Sequence, residues 1–191
     1  MKNLFLTIAA LFAVDAKAEQ NIQEAVFAGG CFWCVESDFE KVDGVVKAES
    51  GYTGGHVANP GYKQVSAGIT GHIEAVKITY DANKVSYIDL VHKLFRTIDP
   101  TDGTGQFCDK GEQYRSAIFY ANDKEKSIAE KAKQQTQEIL KKKVYTDILP
   151  LKEFYLAEGY HQDYYKKNPI RYKFYRTRCG RDARVQEVWN M

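Results

Sequence analysis

Two cysteines three residues apart follow a pair of glycines, in the run Gly29-Gly30-Cys31-Phe32-Trp33-Cys34. The preceding apolar run, Ala25 to Ala28, predicts a strand, and helical spacing of apolar residues begins after the glycines. Cys31 should therefore lie in the first turn of a helix, where unpaired backbone N–H groups and the positive dipole end favour a thiolate. Because the thiolate is the nucleophilic form of cysteine, this position predicts a reactive Cys31.

The spacing of Cys31 and Cys34 places both side chains on one face of the predicted helix. Such a pair at a strand-to-helix junction is typical of a thiol–disulfide site. The alternative is a structural disulfide or an inert core cysteine, which would leave the paired glycines without a purpose. Zinc is less favoured, because Cys108 and Cys179 have no histidine neighbour at ligand spacing. We expect no bound metal.

Three further residues could donate protons or hydrogen bonds. Glu74 lies in an apolar segment, where its carboxyl group is either on a solvated face or partly desolvated. Desolvation would raise its pKa and make it a general acid near neutral pH. Tyr62 follows a Pro-Gly turn, and Tyr114 begins a predicted strand after a polar segment. Both tyrosines are candidate hydrogen-bond donors.

Composition favours one globular domain. The chain has 191 residues, of which 44% are hydrophobic, and a net charge of +2. The one basic block, Lys141 to Lys143, is explained by the solvated end of a helix, so nothing favours nucleic acid as a partner. Interleaved strand and helix patterns predict a single α+β domain, in which helices pack on a sheet.

The predicted elements follow from periodicity and turn residues. The long loop 99–111 is a candidate functional segment, and the tail from 172 to 191 reads as basic, aromatic and less regular. Strands are predicted over 24–28, 45–52, 73–80, 114–120 and 146–152. Helices are predicted over 31–41, 86–96, 123–143 and 158–166, with caps at Ser86 and at Asn122 or Asp123.

The first 18 residues read as a secretory signal peptide. One lysine precedes an apolar run from Leu4 to Val14, and Ala16-Lys17-Ala18 matches a small-x-small cleavage site. The run is about 11 residues long, whereas about 20 are needed to span a bilayer. We therefore expect a mature domain over residues 19–191 that is secreted and acts in the periplasm, with an uncleaved signal anchor as the alternative. All four cysteines lie in that domain, which favours an oxidising compartment.

These motifs together resemble the A-type peptide methionine sulfoxide reductases, which act on the S epimer, in a secreted form with a Gly-Cys-Phe-Trp-Cys motif. The resemblance runs in family order over nearly all of the predicted mature chain. The matching segments are Gly30-Cys31-Phe32-Trp33, Gly51-Tyr52-Thr53-Gly54-Gly55, Asn59-Pro60-Gly61-Tyr62, Gly71-His72-Ile73-Glu74-Ala75-Val76, Tyr80-Asp81, Asp99-Pro100, Gln113-Tyr114-Arg115-Ser116, Tyr160-His161-Gln162-Asp163-Tyr164 and Asn168-Pro169.

The resemblance implies a two-layer α+β sandwich with a mixed sheet and a ferredoxin-like core, and it gives the candidate residues roles. Cys31 would attack the sulfoxide sulfur, and Glu74 would protonate the oxygen while Tyr62 and Tyr114 donate hydrogen bonds to it. The substrate-binding positions that it implies are Phe32 and Trp33, which would hold the methyl group, and Asp109, His161 and Tyr164, which would line the site.

The family's reaction leaves a sulfenic acid on Cys31, which a second thiol must resolve. Cys34 and Cys179 are both candidates, and the short spacing favours Cys34 because it needs no movement of the tail. Cys108 could be a bystander, a backup thiol or a partner of Cys179. The resemblance implies no bound cofactor, an external dithiol reductant such as a thioredoxin-like protein, substrates that contain methionine sulfoxide, and a monomer.

Two other classes of protein share part of the pattern. A thioredoxin-like disulfide oxidoreductase would use Cys31 and Cys34 but would leave Tyr62, Glu74 and Tyr114 unexplained. A secreted binding domain with two structural disulfides would need no reactive thiol at all.

Overall fold

A computed structural model describes residues 19–190, and the predicted signal peptide at 1–18 lies outside them. A 3₁₀ turn, Glu112–Tyr114, precedes the sixth strand. The strands are β1 Ile22–Gly29, β2 Val45–Thr53, β3 Ile73–Asp81, β4 Gly105–Gln106, β5 Asp109–Lys110, β6 Ser116–Tyr120, β7 Asp147–Pro150 and β8 Tyr155–Leu156. The helices are α1 Phe32–Phe39, α2 Tyr62–Ser66, α3 Tyr87–Phe95, α4 Asp123–Leu140, α5 Tyr164–Lys167, α6 Pro169–Arg178 and α7 Arg181–Trp189.

Six strands form one mixed sheet in the order β7-β6-β1-β3-β2-β8. The four central strands β6, β1, β3 and β2 pair antiparallel with one another, whereas β7 runs parallel to β6. The order β6-β1-β3-β2, with α1 after β1 and α3 after β3, is the ferredoxin-like arrangement. The expected α+β domain with a mixed sheet is therefore confirmed.

The sheet has two different faces because alternate residues of a strand point to opposite sides. On one face Val76, Ile78 and Tyr80 of β3 pack with apolar residues of α1, α3 and α4. The opposite face carries a smaller cluster, which Leu149 and Phe154 partly cover. The helices thus form one layer and the sheet the other.

The expectation of an irregular tail is wrong. Residues 169–189 form the two helices α6 and α7. Pro169 is the first residue of α6, where its missing N–H costs nothing. Gly180, with φ of 66°, separates the two helices. The apolar stripe that predicts a helix is weak here, because Arg181 occupies a buried position beside Val185 and Trp189.

Two shorter segments also differ from expectation. The segment predicted as a helix over 158–166 contains turns and the single helical turn α5, Tyr164–Lys167. The loop 99–111 contains a small hairpin, in which β4 pairs with β5. Among residues 19–190, no helix has the length and apolar character needed to cross a membrane.

A disulfide joins this hairpin to the C-terminal helices. Cys108 lies between β4 and β5, and it is bonded to Cys179 at the end of α6, 71 residues later in the chain. The sequence left three roles open for Cys108, and the structure shows that it is the partner of Cys179.

Candidate active site

Cys31 lies at the N-cap of α1, as the glycine-to-helix pattern predicts. Its carbonyl accepts hydrogen bonds from the N–H groups of Cys34 at 3.1 Å and Val35 at 3.4 Å, which begin the helix. Gly30 has φ of 80°, and a Cβ there would lie 2.5 Å from Cβ of Gln106. The glycine is therefore required both for the turn and for the close approach of the β4–β5 hairpin.

Glu74 reaches this turn from the neighbouring strand β3. Strand alternation places it with Val76 on the helix-covered face, and its carboxylate Oε2 accepts a 3.0 Å hydrogen bond from the N–H of Phe32. Glu74 is 2% exposed, and its burial raises its pKa to about 8 against the opposing effect of the Phe32 hydrogen bond. Of the two environments that the sequence left open for Glu74, the desolvated one is correct. The carboxyl group is therefore largely protonated at neutral pH.

A small cavity of about 60 Å³ opens beside Cys31 and Glu74. Tyr62, the first residue of α2, and Tyr114, at the end of the 3₁₀ turn, bring their hydroxyl groups together at its wall. Burial and the neighbouring Glu74 raise the pKa of both tyrosines, that of Tyr62 to about 12. Both hydroxyls therefore remain protonated donors. The cavity is lined by Cys31, Phe32, Trp33, Tyr62, Glu74, Asp109, Tyr114 and Tyr175.

An aromatic assembly fixes the apolar part of the wall. The indole of Trp33 stacks on Tyr164 with ring centroids 3.7 Å apart, and its Nε1 donates a 3.0 Å hydrogen bond to Nδ1 of His161. The imidazole also packs against Phe32, at 4.9 Å between centroids. Two residues expected to line the site, His161 and Tyr164, thus lie behind Trp33 and Phe32 and hold them in place.

The hydrogen bond from Trp33 also fixes the tautomer of His161. Because Nδ1 accepts, the proton of the neutral ring is on Nε2, which lies 3.9 Å from Oε2 of Glu158. Burial lowers the pKa of His161, so the ring is neutral at pH 7. Glu158 itself accepts from the hydroxyl of Tyr52 and from the N–H of Tyr62, at 2.8 Å each, and so connects the imidazole to α2.

Tyr175 is a site residue that the sequence analysis missed. Its hydroxyl donates to the carboxylate of Asp109 and lies against the thiol of Cys31, where it favours the thiolate. Its ring meets Trp33 edge-on, with 5.9 Å between centroids. No local pattern in the sequence marks it, because its partner Asp109 lies 66 residues earlier in the chain. Asp109 lies in the wall as expected, and burial raises its pKa.

Cys31 and Cys34 carry free thiols that face each other across the first turn of α1. Burial and the neighbouring Cys34 raise the pKa of Cys31. The hydrogen bond from Cys31, together with the charges of Arg181 and Arg176, lowers the pKa of Cys34 to about 7 against the opposing effect of burial. The pair thus shares one proton near neutral pH, and the positive charges favour the thiolate on Cys34.

Cys179 is not free to act as a second thiol, because it is bonded to Cys108. Its bridge lies at the surface, with Cys108 exposed, while Cys31 and Cys34 are buried. The geometry therefore favours Cys34 as the resolving thiol, as the spacing predicts.

The chain matches the family model described as "Peptide methionine sulfoxide reductase" over residues 23–191. The chain belongs to this family. A curated relative from Caulobacter vibrioides, peptide methionine sulfoxide reductase MsrA 2, is 49% identical and covers 99% of each chain. The reductase is therefore similar to an A-type enzyme over its whole length.

Solved structures agree with this assignment. Reduced Mxr1 from Saccharomyces cerevisiae has a TM-score of 0.75 at 34% identity, covering 78% of the reductase and 87% of Mxr1. Methionine sulfoxide reductase A of Corynebacterium diphtheriae has a TM-score of 0.71 at 34% identity, covering 80% and 78%. Mxr1 in complex with Trx2 matches at 22% identity and a TM-score of 0.54, covering 78% and 91%, which shows the fold alone.

Proposed function

We propose that the cavity beside Cys31 is the reaction centre at which this peptide methionine sulfoxide reductase acts on the S epimer. The observation that carries the assignment of roles is the buried Glu74 carboxyl group, bonded to the residue next to Cys31 at 3.0 Å. It places a proton donor and a helix-terminal thiol at one small cavity with an aromatic wall. Attack on a sulfoxide needs both groups, because the departing oxygen gains negative charge.

In the first chemical step the Cys31 thiol releases its proton to solvent, and the resulting thiolate attacks the sulfoxide sulfur. Phe32 and Trp33 hold the methyl group, which orients the S=O bond towards Glu74 and the two tyrosine hydroxyls. Glu74 gives its proton to the oxygen. The hydroxyl then passes from the substrate sulfur to the sulfur of Cys31, so that both the S–O bond and the new S–S bond at the substrate sulfur break. Methionine sulfoxide is reduced by two electrons to methionine, and Cys31 is oxidised to a sulfenic acid.

In the second step the Cys34 thiolate attacks the sulfur of the Cys31 sulfenic acid. The S–S bond forms as the S–O bond breaks, and the hydroxide takes up one proton and leaves as water. An external dithiol then reduces the Cys31–Cys34 bond by thiol–disulfide exchange and is itself oxidised. A thioredoxin-like protein is the donor that we propose, and no bound cofactor takes part.

We also propose that residues 1–18 export the reductase to the periplasm, where it acts as a monomer. The Cys108–Cys179 bridge supports this location, since such bonds persist in oxidising compartments. Cell fractionation with N-terminal sequencing of the purified protein tests it. A mature N-terminus near Glu19 in the periplasmic fraction is expected, and an intact Met1 in the cytoplasm would contradict it.

Single-turnover reduction of peptides that contain S- or R-methionine sulfoxide tests the reaction, with pre-reduced protein and no other reductant. We expect methionine from the S peptide only, and none with Cys31→Ser. The absence of methionine from both peptides would overturn the proposal and favour disulfide exchange as the activity. Cys108→Ser/Cys179→Ser serves as the control, because it removes two cysteines outside the cavity and leaves no new free thiol.

A further inference from the structure

Arg181 is a buried cation beside the active-site helix. It is the first residue of α7 and is only 2% exposed, although arginine is rarely found fully buried without a partner. Its Nη1 donates a 3.0 Å hydrogen bond to the carbonyl of Gly29, two residues before Cys31. Its guanidinium lies 4.7 Å from the ring centre of Phe107.

The charge of Arg181 is incompletely compensated. Its Nε is 3.7 Å from Oδ2 of Asp38, beyond hydrogen-bond distance. Among the residues that the structure describes, Nε and Nη2 have no hydrogen-bond partner. Arg176, by contrast, is 2.8 Å from Asp38 and makes a bidentate contact with Asp182. A buried cation that keeps unused donors is costly unless it serves another negative group nearby.

Cys34 is that group. It precedes Asp38 by four residues on α1, so the two side chains share one face, and this face meets Arg181 and Arg176. The guanidinium of Arg181 contacts the carbonyl of Gly29 and faces the carboxylate of Asp38. Cys34 lies between these two residues in the sequence. The titratable and charged groups that face Cys34 are Cys31, Asp38, Glu74, Tyr172, Arg176 and Arg181.

We propose that Arg181 is a positioning residue for the resolving step, where its guanidinium holds Cys34 as a thiolate directed at the oxidised Cys31. The inference rests on the proposed function, because it concerns the second step of that reaction. Cys34 is poised to attack as soon as the Cys31 sulfenic acid forms. The step gives one S–S bond and one water, with the proton taken from solvent.

Rapid-mixing experiments from pH 6 to 9 can separate the two steps of one turnover in the intact chain. Methionine release reports the first step, and loss of dimedone-trappable sulfenic acid reports closure of the Cys31–Cys34 bond. In Arg181→Met we expect closure to slow about tenfold at pH 7 and to recover at higher pH, as the midpoint of its pH profile rises by about one unit or more. Arg181→Lys should restore part of the rate.

Arg184→Met is the matched control, because Arg184 lies on the same helix but pairs with Asp99 at 2.7 Å and is partly exposed. Its closure profile should follow the wild type. An Arg181→Met profile that coincides with that of Arg184→Met would overturn the proposal. A wild-type protein that releases no methionine would instead overturn the proposed function, so the two failures are distinct.

Asp38→Asn gives a test that does not remove the arginine, in case Arg181→Met fails to fold. Removing this carboxylate takes away the negative charge that faces Arg181 beside Cys34, whereas Arg176 keeps its contact with Asp182. We expect the midpoint of the closure profile to move to lower pH. A midpoint that stays constant or rises would contradict the role of Arg181.

Discussion

The backbone N–H of Phe32 donates a 3.0 Å hydrogen bond to Oε2 of Glu74, which ties the first residue of α1 to the centre of the sheet. The helix N-terminus thus stabilises the carboxylate left when Glu74 gives up its proton, although burial keeps its pKa near 8. Cys31 is the N-cap residue of the same helix. The proposed nucleophile and the proposed acid are therefore positioned by one element, and a shift of α1 would move both.

Glu74→Gln should slow methionine formation in a single turnover by about 10²- to 10⁴-fold, because the amide has no acidic proton to donate. The pKa of about 8 predicts that the wild-type first step is fastest below pH 8 and declines above it as the acid form is lost. The decline should be absent in Glu74→Gln. Alkylation of Cys31 is the control for an intact thiol, and an undiminished rate would exclude the acid role.

Glu74 should also make the stability of the fold depend on pH. Its folded pKa of about 8 lies above the ordinary 4.5, so the folded protein binds more protons between these values. The stabilisation is therefore complete below pH 4.5 and is lost as pH rises to 8, by at most about 1.4 kcal/mol per unit. Urea unfolding at several pH values measures the free energy of unfolding of the wild type and of Glu74→Gln. The difference between the two proteins should decrease as pH rises from 4.5 to 8, because the other groups titrate alike in both.

Tyr62→Phe and Tyr114→Phe should each lower the first-step rate less than the double change does. The two hydroxyls meet at the same wall, so one can still donate to the oxygen when the other is lost. For the pair we expect a loss of about 10²- to 10³-fold, as for other donors to a developing oxyanion. A double-mutant cycle measures the coupling, and additive effects would mean that the hydroxyls serve separate groups.

Cys34→Ser should release one equivalent of methionine and then stop with a sulfenic acid on Cys31. The reason is that Cys179 is bonded to Cys108 and has no free thiol to offer. Mass spectrometry after dimedone treatment identifies the trapped species. The double variant Cys108→Ser/Cys179→Ser should still close the Cys31–Cys34 bond. A Cys31–Cys179 bond in the wild type would reverse the assignment.

Removing the Cys108–Cys179 bridge should destabilise the fold without abolishing the first step. Closing a loop with a separation of 71 residues restricts the unfolded chain, and loss of that restriction costs about 4 kcal/mol. Denaturant unfolding of Cys108→Ser/Cys179→Ser measures the loss. A difference below about 1 kcal/mol would show that the bridge contributes little through chain entropy.

Most of the central fold follows from local patterns. The alternation of Glu74, Val76 and Ile78 is visible in the sequence, and the structure places these residues on the face that the helices cover. Ser86 caps α3 and Asn122 caps α4, each with the hydrogen bond expected of its residue type. These features need only neighbouring residues, so a single sequence is enough to predict them.

The C-terminal helices were not predictable in this way. Their buried positions include Tyr172 and Arg181, which periodicity reads as polar. Burying Arg181 is tolerable only because Gly29 and Asp38, about 150 residues earlier, supply an acceptor and a counter-charge. Tyr175 was missed for the same reason, since its partner Asp109 lies 66 residues away in the chain.

By itself the sequence determined the glycine turn before Cys31 and the spacing of Cys31 and Cys34, and it predicted a nucleophile, its partner and a set of candidate donors. The tertiary structure decided which of those candidates meet at one cavity, that Glu74 is buried and protonated, and that Cys179 is bonded to Cys108. The physical reason is that residue type and spacing fix local backbone geometry. Burial, charge compensation and disulfide pairing, by contrast, depend on residues that only folding brings together.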